Sequence, residues 1–351
     1  MDESLFYNGT RLINIKRDKY GNRPEIFAVD GNRSAGKTTW FGRWFVRRFK
    51  KYNEKFMLIY RYGDELDTAS DKFFEDIRKL FFPDDIMKGV KRDKGAFVEL
   101  FLNDISCGYA VALNFVDKYK KNSHLFSDVK RMLFDEFQAK KYIPGEADLL
   151  FSLHVSVARG EGQAVRYCPV YMCANHLSSL NPYYKAWGCA MQVDEIAEGF
   201  YLGDGFVIEK NMNSAVAEEQ KLSGFNRAFK NTRMYKHSIE NESLTDSKGY
   251  VEELKNPEFD YLCTISVDGN KIALRRIKNN KKVLFYFDNK IDPSFKVRYA
   301  VTSFEHMEGT QLLGRSAMLV MNVRKCYEAG YVRFSSLEVK DNAFQFMMIL
   351  L

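Results

Sequence analysis

The spacing of apolar residues changes character along the chain. In the first half, short apolar runs alternate with stretches of helical periodicity. Glu25–Asp30, Phe56–Tyr62, Tyr109–Phe115, Arg131–Phe134 and Val165–Ala174 read as strands. Thr38–Lys51 reads as a helix, with Trp40, Trp44 and Phe45 on one side and Arg43, Arg47 and Lys51 recurring every fourth residue on another. Asp71–Phe81 and Ala147–Ala158 read as two more helices. Strands that are apolar throughout are buried on both faces. Interleaved with helices, they predict an α/β domain with a mostly parallel sheet.

After Tyr201–Lys210 the pattern shifts. From Asn213 to about Glu242 the chain is polar and basic with helical stretches, as in a linker or small helical subdomain. From about Ser247 the strands are antiparallel in style. Asp260–Val267, Lys271–Ile277 and Val283–Phe287 are joined by turns at DGN and KNNKK. The expected divisions are an α/β domain at 1–210, a helical linker at 211–247 and an α+β domain at 248–351. The apolar end, Phe344–Leu351, is too short to span a membrane and is expected to pack as a last element.

Composition adds less. A chain of 351 residues suits two cores. Its net charge of +7 favours a polyanionic partner without naming one. None of the six cysteines forms a CxxC pair or has a histidine at zinc-ligand spacing. Cys168 and Cys173 fall on opposite faces of one strand, so reduced and mostly buried thiols are expected. The opening MDESLFYNGT is acidic and polar, unlike a secretory leader, and no apolar stretch approaches membrane-spanning length. No membrane partner is expected.

The chemistry concentrates in two strings. Gly31-Asn32-Arg33-Ser34-Ala35-Gly36-Lys37-Thr38 fits G-x-x-x-x-G-K-[ST], between a predicted strand and a predicted helix. The glycines let backbone N–H groups turn toward phosphate, and the helix beginning at Lys37 adds its positive end. Lys37 would reach the β- and γ-phosphates of ATP, the Thr38 hydroxyl would ligate Mg²⁺, and Thr39 completes the binding segment. The second string, Met132-Leu133-Phe134-Asp135-Glu136, ends a strand with two carboxylates. Asp135 would hold the Mg²⁺ shell and Glu136 would polarise the attacking water. The adjacent Asp-Glu pair, with an extra strand between the two motifs, points to the additional-strand, catalytic-glutamate (ASCE) branch of P-loop ATPases. Asn175, at the end of an apolar strand, is either a γ-phosphate sensor or a strand-end cap. Arg159 in VARGEG and the basic loop holding Lys120 and Lys121 are candidates for action on a neighbouring subunit.

These strings resemble, in order and spacing, the DNA-packaging (encapsidation) ATPases of phi29-like small tailed phages. The resemblance rests on MDESLFYN, GNRSAGKT with Arg33, YRYGDEL (Tyr60–Leu66), LFDEF (Leu133–Phe137), YIPGE (Tyr142–Glu146), VAR (Val157–Arg159), CAN (Cys173–Asn175), LNPYY (Leu180–Tyr184) and AGYVRF (Ala329–Phe334). It implies a homomeric ring, typically a pentamer, at the portal (connector) vertex of an empty procapsid, pumping double-stranded DNA inward. A structural packaging RNA is a further possible partner, and the host cytoplasm is the expected location, with attachment to the portal vertex transient. By position, Arg159 would be a trans-acting arginine finger and Lys121 the family's basic residue upstream of the Asp-Glu strand, with Lys120 hard to separate from it. Arg33 would lie beside the phosphates. The C-terminal domain would have an RNase H-like fold that has lost its metal-binding carboxylates. Asp260 and Asp268 are its visible acidic candidates, and Asp268 in DGN reads better as a turn. A large terminase with an active nuclease, or another ring translocase or helicase, is the alternative.

A DNA motor needs contacts to phosphate, not to bases. Arg275, Arg276, Lys278, Lys281 and Lys282 cluster around KNNKK. A second cluster is Arg227, Lys230, Arg233 and Lys236, and the loop Lys118–Lys121 is a third. Any of these can equally be a solvated face.

Overall fold

The apolar runs of the first half become the centre of a nine-stranded sheet. The computed structural model describes residues 6–350 apart from 121–122, 140, 160–164, 179–180, 212–213, 233–234, 236–238, 240–249, 255–258, 268, 280–281, 304 and 315. The chain divides into two units, Met1–Thr245 and Asp246–Leu351.

The strands of the first unit are β1 (Ile26–Gly31), β2 (Lys55–Tyr60), β3 (Met87–Arg92), β4 (Phe97–Leu102), β5 (Ile105–Ala112), β6 (Val129–Asp135), β7 (Val170–Asn175), β8 (Gly199–Leu202) and β9 (Phe206–Asn211). Their order is β3-β4-β5-β2-β6-β7-β1-β9-β8. The six strands from β5 to β9 run parallel, with antiparallel pairs only at the two edges. One strand, β7, lies between β1 and β6, so the phosphate loop and the Asp-Glu pair leave the sheet two strands apart. This is the additional-strand arrangement.

Alternation within the buried strands feeds two cores. Ala28, Met57, Ile59, Phe134 and Met172 face one core, and Phe27, Phe56, Leu58, Leu133 and Tyr171 face the other. Cys168 and Cys173 divide the same way. The helices are α1 (Thr10–Ile13), α2 (Lys37–Tyr52), α3 (Leu66–Phe81), α4 (Val116–Lys120), α5 (Glu146–Val157), α6 (Pro182–Ala186), α7 (Ala190–Glu195), α8 (Ser214–Leu222) and α9 (Gly224–Ala228). Phe41, Phe45 and Phe49 of α2 pack on the second core with Phe73, Phe74 and Ile77 of α3. Leu150 and Leu153 of α5 pack on the first, with Tyr183 and Tyr184 of α6.

Two local features differ from expectation. The β3–β4 hairpin is absent from the sequence reading because MKGVKR has no apolar alternation. Its side chains are half-buried or exposed, and its lysines suit an unpaired sheet edge. Tyr201–Lys210, where the pattern shifts, lies in a hairpin of β8 and β9 turned at Gly205 with φ of 79°. The stretch read as a helical linker carries helices, α8 and α9, as its pattern predicts, but groups with the first unit.

The second unit holds β10 (Asp260–Val267), β11 (Asn270–Asn279), β12 (Lys282–Asp288), β13 (Arg298–Ala300), β14 (Gln311–Leu312) and β15 (Val332–Phe334), with α10 (Met318–Glu328) and α11 (Leu337–Leu350). The sheet order is β14-β13-β10-β11-β12-β15. The first three strands form an antiparallel meander, and β13 and β14 extend it in parallel on the side of the first. The apolar C-terminal stretch lies in α11, where fully buried Phe346 meets Phe287 at 6.1 Å between ring centres. Among the described residues, no helix is long and apolar enough to cross a membrane.

Candidate active site

The phosphate loop begins while the chain is still in the sheet. Gly31 is the last residue of β1 and pairs with Asn175 on one side and Asn211 on the other. A Cβ here would stand 2.1 Å from the Asn211 carbonyl oxygen, so the strand contact alone demands glycine. Gly36 is required for a different reason. Its φ of 83° is left-handed, and it caps α2. The sequence reading gave both glycines one role, wrapping the loop. Between them, Ala35 is buried and its carbonyl accepts the Tyr7 N–H at 2.7 Å, while Arg33 and Ser34 are exposed. Asn32 is buried, and Thr39 lies half-buried in the first turn of α2.

Lys37 is buried and folds back on its own loop. Its Nζ donates to the Asn32 carbonyl at 2.7 Å and the Gly31 carbonyl at 3.3 Å, and reaches Asn175 Oδ1 at 3.4 Å. Burial holds its pKa below the ordinary lysine value, against the opposing pull of Asp30 and Asp135. Thr38 Oγ1 donates to Asp135 Oδ1 at 2.8 Å, which joins the two motifs across β7. Removal from water, reinforced by the neighbouring Glu136 charge, pushes the Asp135 carboxyl up to about 6, although the Thr38 hydrogen bond opposes the rise. The pair suits a hard divalent cation. Adjacent ligands of an octahedral Mg²⁺ at about 2.1 Å lie about 3 Å apart, and both donors are oxygen.

Glu136 is exposed and adopts a left-handed φ of 53°. For a residue with a side chain, such a conformation persists only where the surroundings impose it. Here Arg61 imposes it. Its Nη2 donates to the carbonyls of Glu136 and Phe137, both at 3.1 Å. Arg61 is fixed in turn by Glu146, with Nε–Oε2 at 2.8 Å and Nη2–Oε1 at 2.9 Å. Glu146 also accepts from Tyr183 Oη at 2.6 Å and from the Ile143 N–H at 2.9 Å. Arg61, Glu146 and Tyr183 lie in the strings YRYGDEL, YIPGE and LNPYY, which the sequence reading quoted without giving these residues a role.

A second buried network lies under the loop. Asp30 Oδ2 meets His176 Nδ1 at 2.9 Å, and the His176 N–H donates to the Gly31 carbonyl at 3.1 Å. Burial alone would raise the Asp30 carboxyl, but His176 and Lys210 outweigh it and hold it below the ordinary value. On the next strand, Tyr7 Oη donates to Glu209 Oε2 at 2.7 Å. The Tyr7 backbone thus grips the loop while its ring hydroxyl grips β9.

Other candidates lie apart. Arg159 is exposed just beyond α5. The base of its loop is pinned by Arg166, which donates to the carbonyls of Val129, Val157 (2.9 Å) and Ala158 (2.9 Å, through its backbone N–H). Val129 begins β6 and Asp135 ends it, so this base sits ~20 Å from Asp135, at the opposite end of the strand. Lys121 lies outside the described residues, and Lys120 is the last residue of α4.

In the second unit the basic cluster is partly paired with acidic side chains. Arg275 pairs with Asp288 at 2.5 Å and donates to the Lys290 carbonyl at 2.6 Å. Arg276 pairs with Asp260 at 2.8 Å. Both guanidinium groups thus have a carboxylate partner within the unit. Lys278 and Lys282 lie at the β11–β12 turn, and Lys281 and Asp268 are outside the described residues.

Comparison with known proteins agrees with this geometry. The chain is 26% identical over 360 aligned positions to the DNA packaging protein of Bacillus phage phi29, covering 98% of each chain. It is 27% identical over 304 positions to that of Bacillus phage B103, covering 85% of this chain and 86% of the relative. Its fold matches a chain in the bacteriophage phi29 viral genome packaging motor assembly with a TM-score of 0.66 at 23% identity, over 99% of this chain and 100% of that one. Residues 1–349 match the Podovirus DNA encapsidation protein (Gp16) family, and the chain belongs to that family.

Proposed function

We propose that this chain is an ATP-driven motor that moves double-stranded DNA through the portal of a preformed procapsid. The observation that carries the reading is the 2.8 Å contact between Thr38 and Asp135, with Glu136 next in the chain, in a member of an encapsidation family. ATP would lie along Gly31–Thr39, with Lys37 turning from its loop carbonyls to the phosphates and Arg33 beside them. Thr38 and Asp135 would hold Mg²⁺, which when bound neutralises charge on the phosphate oxygens. Glu136 would orient the attacking water and accept its proton. Asn175, 3.4 Å from Lys37, would register the γ-phosphate.

Arg159 would complete the site of a neighbouring subunit in a ring, which we propose to be a pentamer, with Lys121 or Lys120 also acting between subunits. Lys278, Lys281 and Lys282 are candidates of the second unit for sequence-independent phosphate contacts. The protein would work in the host cytoplasm, attached to the portal vertex during packaging, and a structural RNA would be accommodated there.

The test is ATP turnover by the full chain with and without long duplex DNA. Turnover should rise with DNA and fall by about 10²–10⁴-fold in Glu136→Gln. Turnover indifferent to both DNA and this substitution would overturn the proposal, and strand displacement would make the protein a helicase.

A further inference from the structure

At the strand ends opposite the phosphate loop, the first unit holds a cavity of about 460 Å³. Lys130 and Arg131 at the start of β6, Pro169 just before β7, and Trp44 and Arg48 on α2 line it. Phe27, which also lines it, is four residues before Gly31 on β1, so the cavity is ~13 Å from the phosphate loop. It is separate from the hydrolysis site.

Two chemistries share its wall. Lys16, Arg23, Arg48, Lys130 and Arg131 line the cavity against a single carboxylate, Glu54. Glu54 accepts from Arg48 Nε at 2.7 Å, from Arg48 Nη2 at 2.5 Å and from Arg131 Nη2, so one negative charge is shared by two guanidinium groups. Arg131 is only 8% exposed and is held in the wall by its contact with Glu54. Five cationic side chains against one carboxylate leave a local positive excess that suits an anion. The second chemistry is flat. The Arg131 guanidinium lies 4.8 Å from the Trp44 ring, that of Arg23 lies 3.3 Å from the Tyr167 ring, and Tyr171 adds a further ring.

We infer that this cavity binds a nucleotide-sized organic phosphate, with its phosphate among Arg48, Lys130 and Arg131 and its planar base against the aromatic wall. Guanidinium groups suit phosphate oxygens in forked geometry, and the volume lies in the range of small-ligand pockets, far too small for a duplex. Lys16, Arg23 and Lys130 are exposed, so the rim can change without disturbing the core.

The experiment uses the full chain carrying Lys37→Ala, which weakens the phosphate-loop site, titrated with AMP at low salt by calorimetry and tryptophan fluorescence. One saturable site is expected, with a fluorescence change that Trp44→Phe removes. Adding Arg23→Ala and Lys130→Gln should weaken AMP binding by about tenfold or more, the scale of a lost charge-assisted contact. Inorganic phosphate should bind more weakly than AMP. No heat with millimolar AMP, an affinity unchanged by the two rim substitutions, or equal binding of inorganic phosphate would each overturn the assignment.

Discussion

Glu146→Gln tests whether the buried Arg61 pair holds the catalytic loop in shape. Four donor contacts converge on this carboxylate, two from Arg61 and one each from Tyr183 Oη and the Ile143 N–H. An amide offers one oxygen in place of two and turns its own N–H₂ toward a donor. It also leaves Arg61, 6% exposed, without a countercharge. Breaking one side of a buried ion pair costs about 3–5 kcal/mol. For a unit of this size that corresponds to about 6–20 °C in melting temperature. Calorimetry gives the stability change, and ATP turnover below the melting range gives the functional one. Turnover should fall too, because Arg61 would loosen its hold on the Glu136 and Phe137 carbonyls. A second variant, Arg61→Met with Glu146→Leu, separates the two effects. Apolar replacement of both partners should restore much of the stability while turnover stays low, since the carbonyls still lack their donor. A melting shift of under a degree in Glu146→Gln would refute the energetic argument. Wild-type turnover in the paired variant would refute the positioning role.

Other expectations follow from single contacts. Gly31→Ala should destabilise by about 1–3 kcal/mol in urea unfolding, because its Cβ would meet the fixed backbone of β9; an unchanged midpoint would contradict this. Burial pushes Cys168 up to about 11 and Cys107, Cys189 and Cys263 up to about 12, and raises Cys173 well above its ordinary value, so alkylation of the native protein near neutral pH should modify only half-buried Cys326 quickly. A second fast thiol would contradict that. Tyr7→Phe should cost about 1.5–3 kcal/mol at neutral pH by removing the hydrogen bond to Glu209. Burial raises the Glu209 pKa, so its charged form costs stability above that value and the cost lifts as pH falls. The Tyr7→Phe deficit should therefore narrow in acid; a deficit independent of pH would point to lost packing instead.

The parts of the site that could be read from sequence are those the chain keeps contiguous. Gly31–Thr38 is one strand end, one loop and one helix start, and Asp135 and Glu136 are neighbours, so local rules reach both. Arg61, Glu146 and Tyr183 are far apart in the chain, and only the fold converges them on the Glu136 carbonyl. The β3 strand was illegible for another reason. An edge strand with charged side chains carries no periodic apolar signal, whereas central strands such as β1 and β7 are apolar throughout. The ion pairs around KNNKK were illegible because a run of positive charge says nothing about cross-strand register. That register sets Arg276 opposite Asp260, and the strand end brings Asp288 to Arg275.

The same sheet geometry decides how Arg159 can act. Glu136 follows the last residue of β6, and α5 carries the chain back to the end where β6 begins. Arg166 ties the end of that return to Val129, and Arg159 is the next residue after the tied segment. An extended arginine side chain spans well under the ~20 Å that separates the two ends of β6. Arg159 therefore has no route to the phosphates of its own subunit while this sheet is intact. Arg61 is held away from that role, because Glu146 and two carbonyls fix its Nε and Nη2. If an arginine neutralises charge at the γ-phosphate, Arg33 of the loop or a residue of another subunit must supply it. Mixing Arg159→Ala with Lys37→Ala subunits distinguishes these sources. Each parent should be inactive alone, and the mixture should regain part of the wild-type turnover, because some interfaces then combine an intact loop with an intact Arg159. Full activity of Arg159→Ala by itself, with loss of turnover in Arg33→Ala, would assign the role to the loop and remove the need for a neighbour.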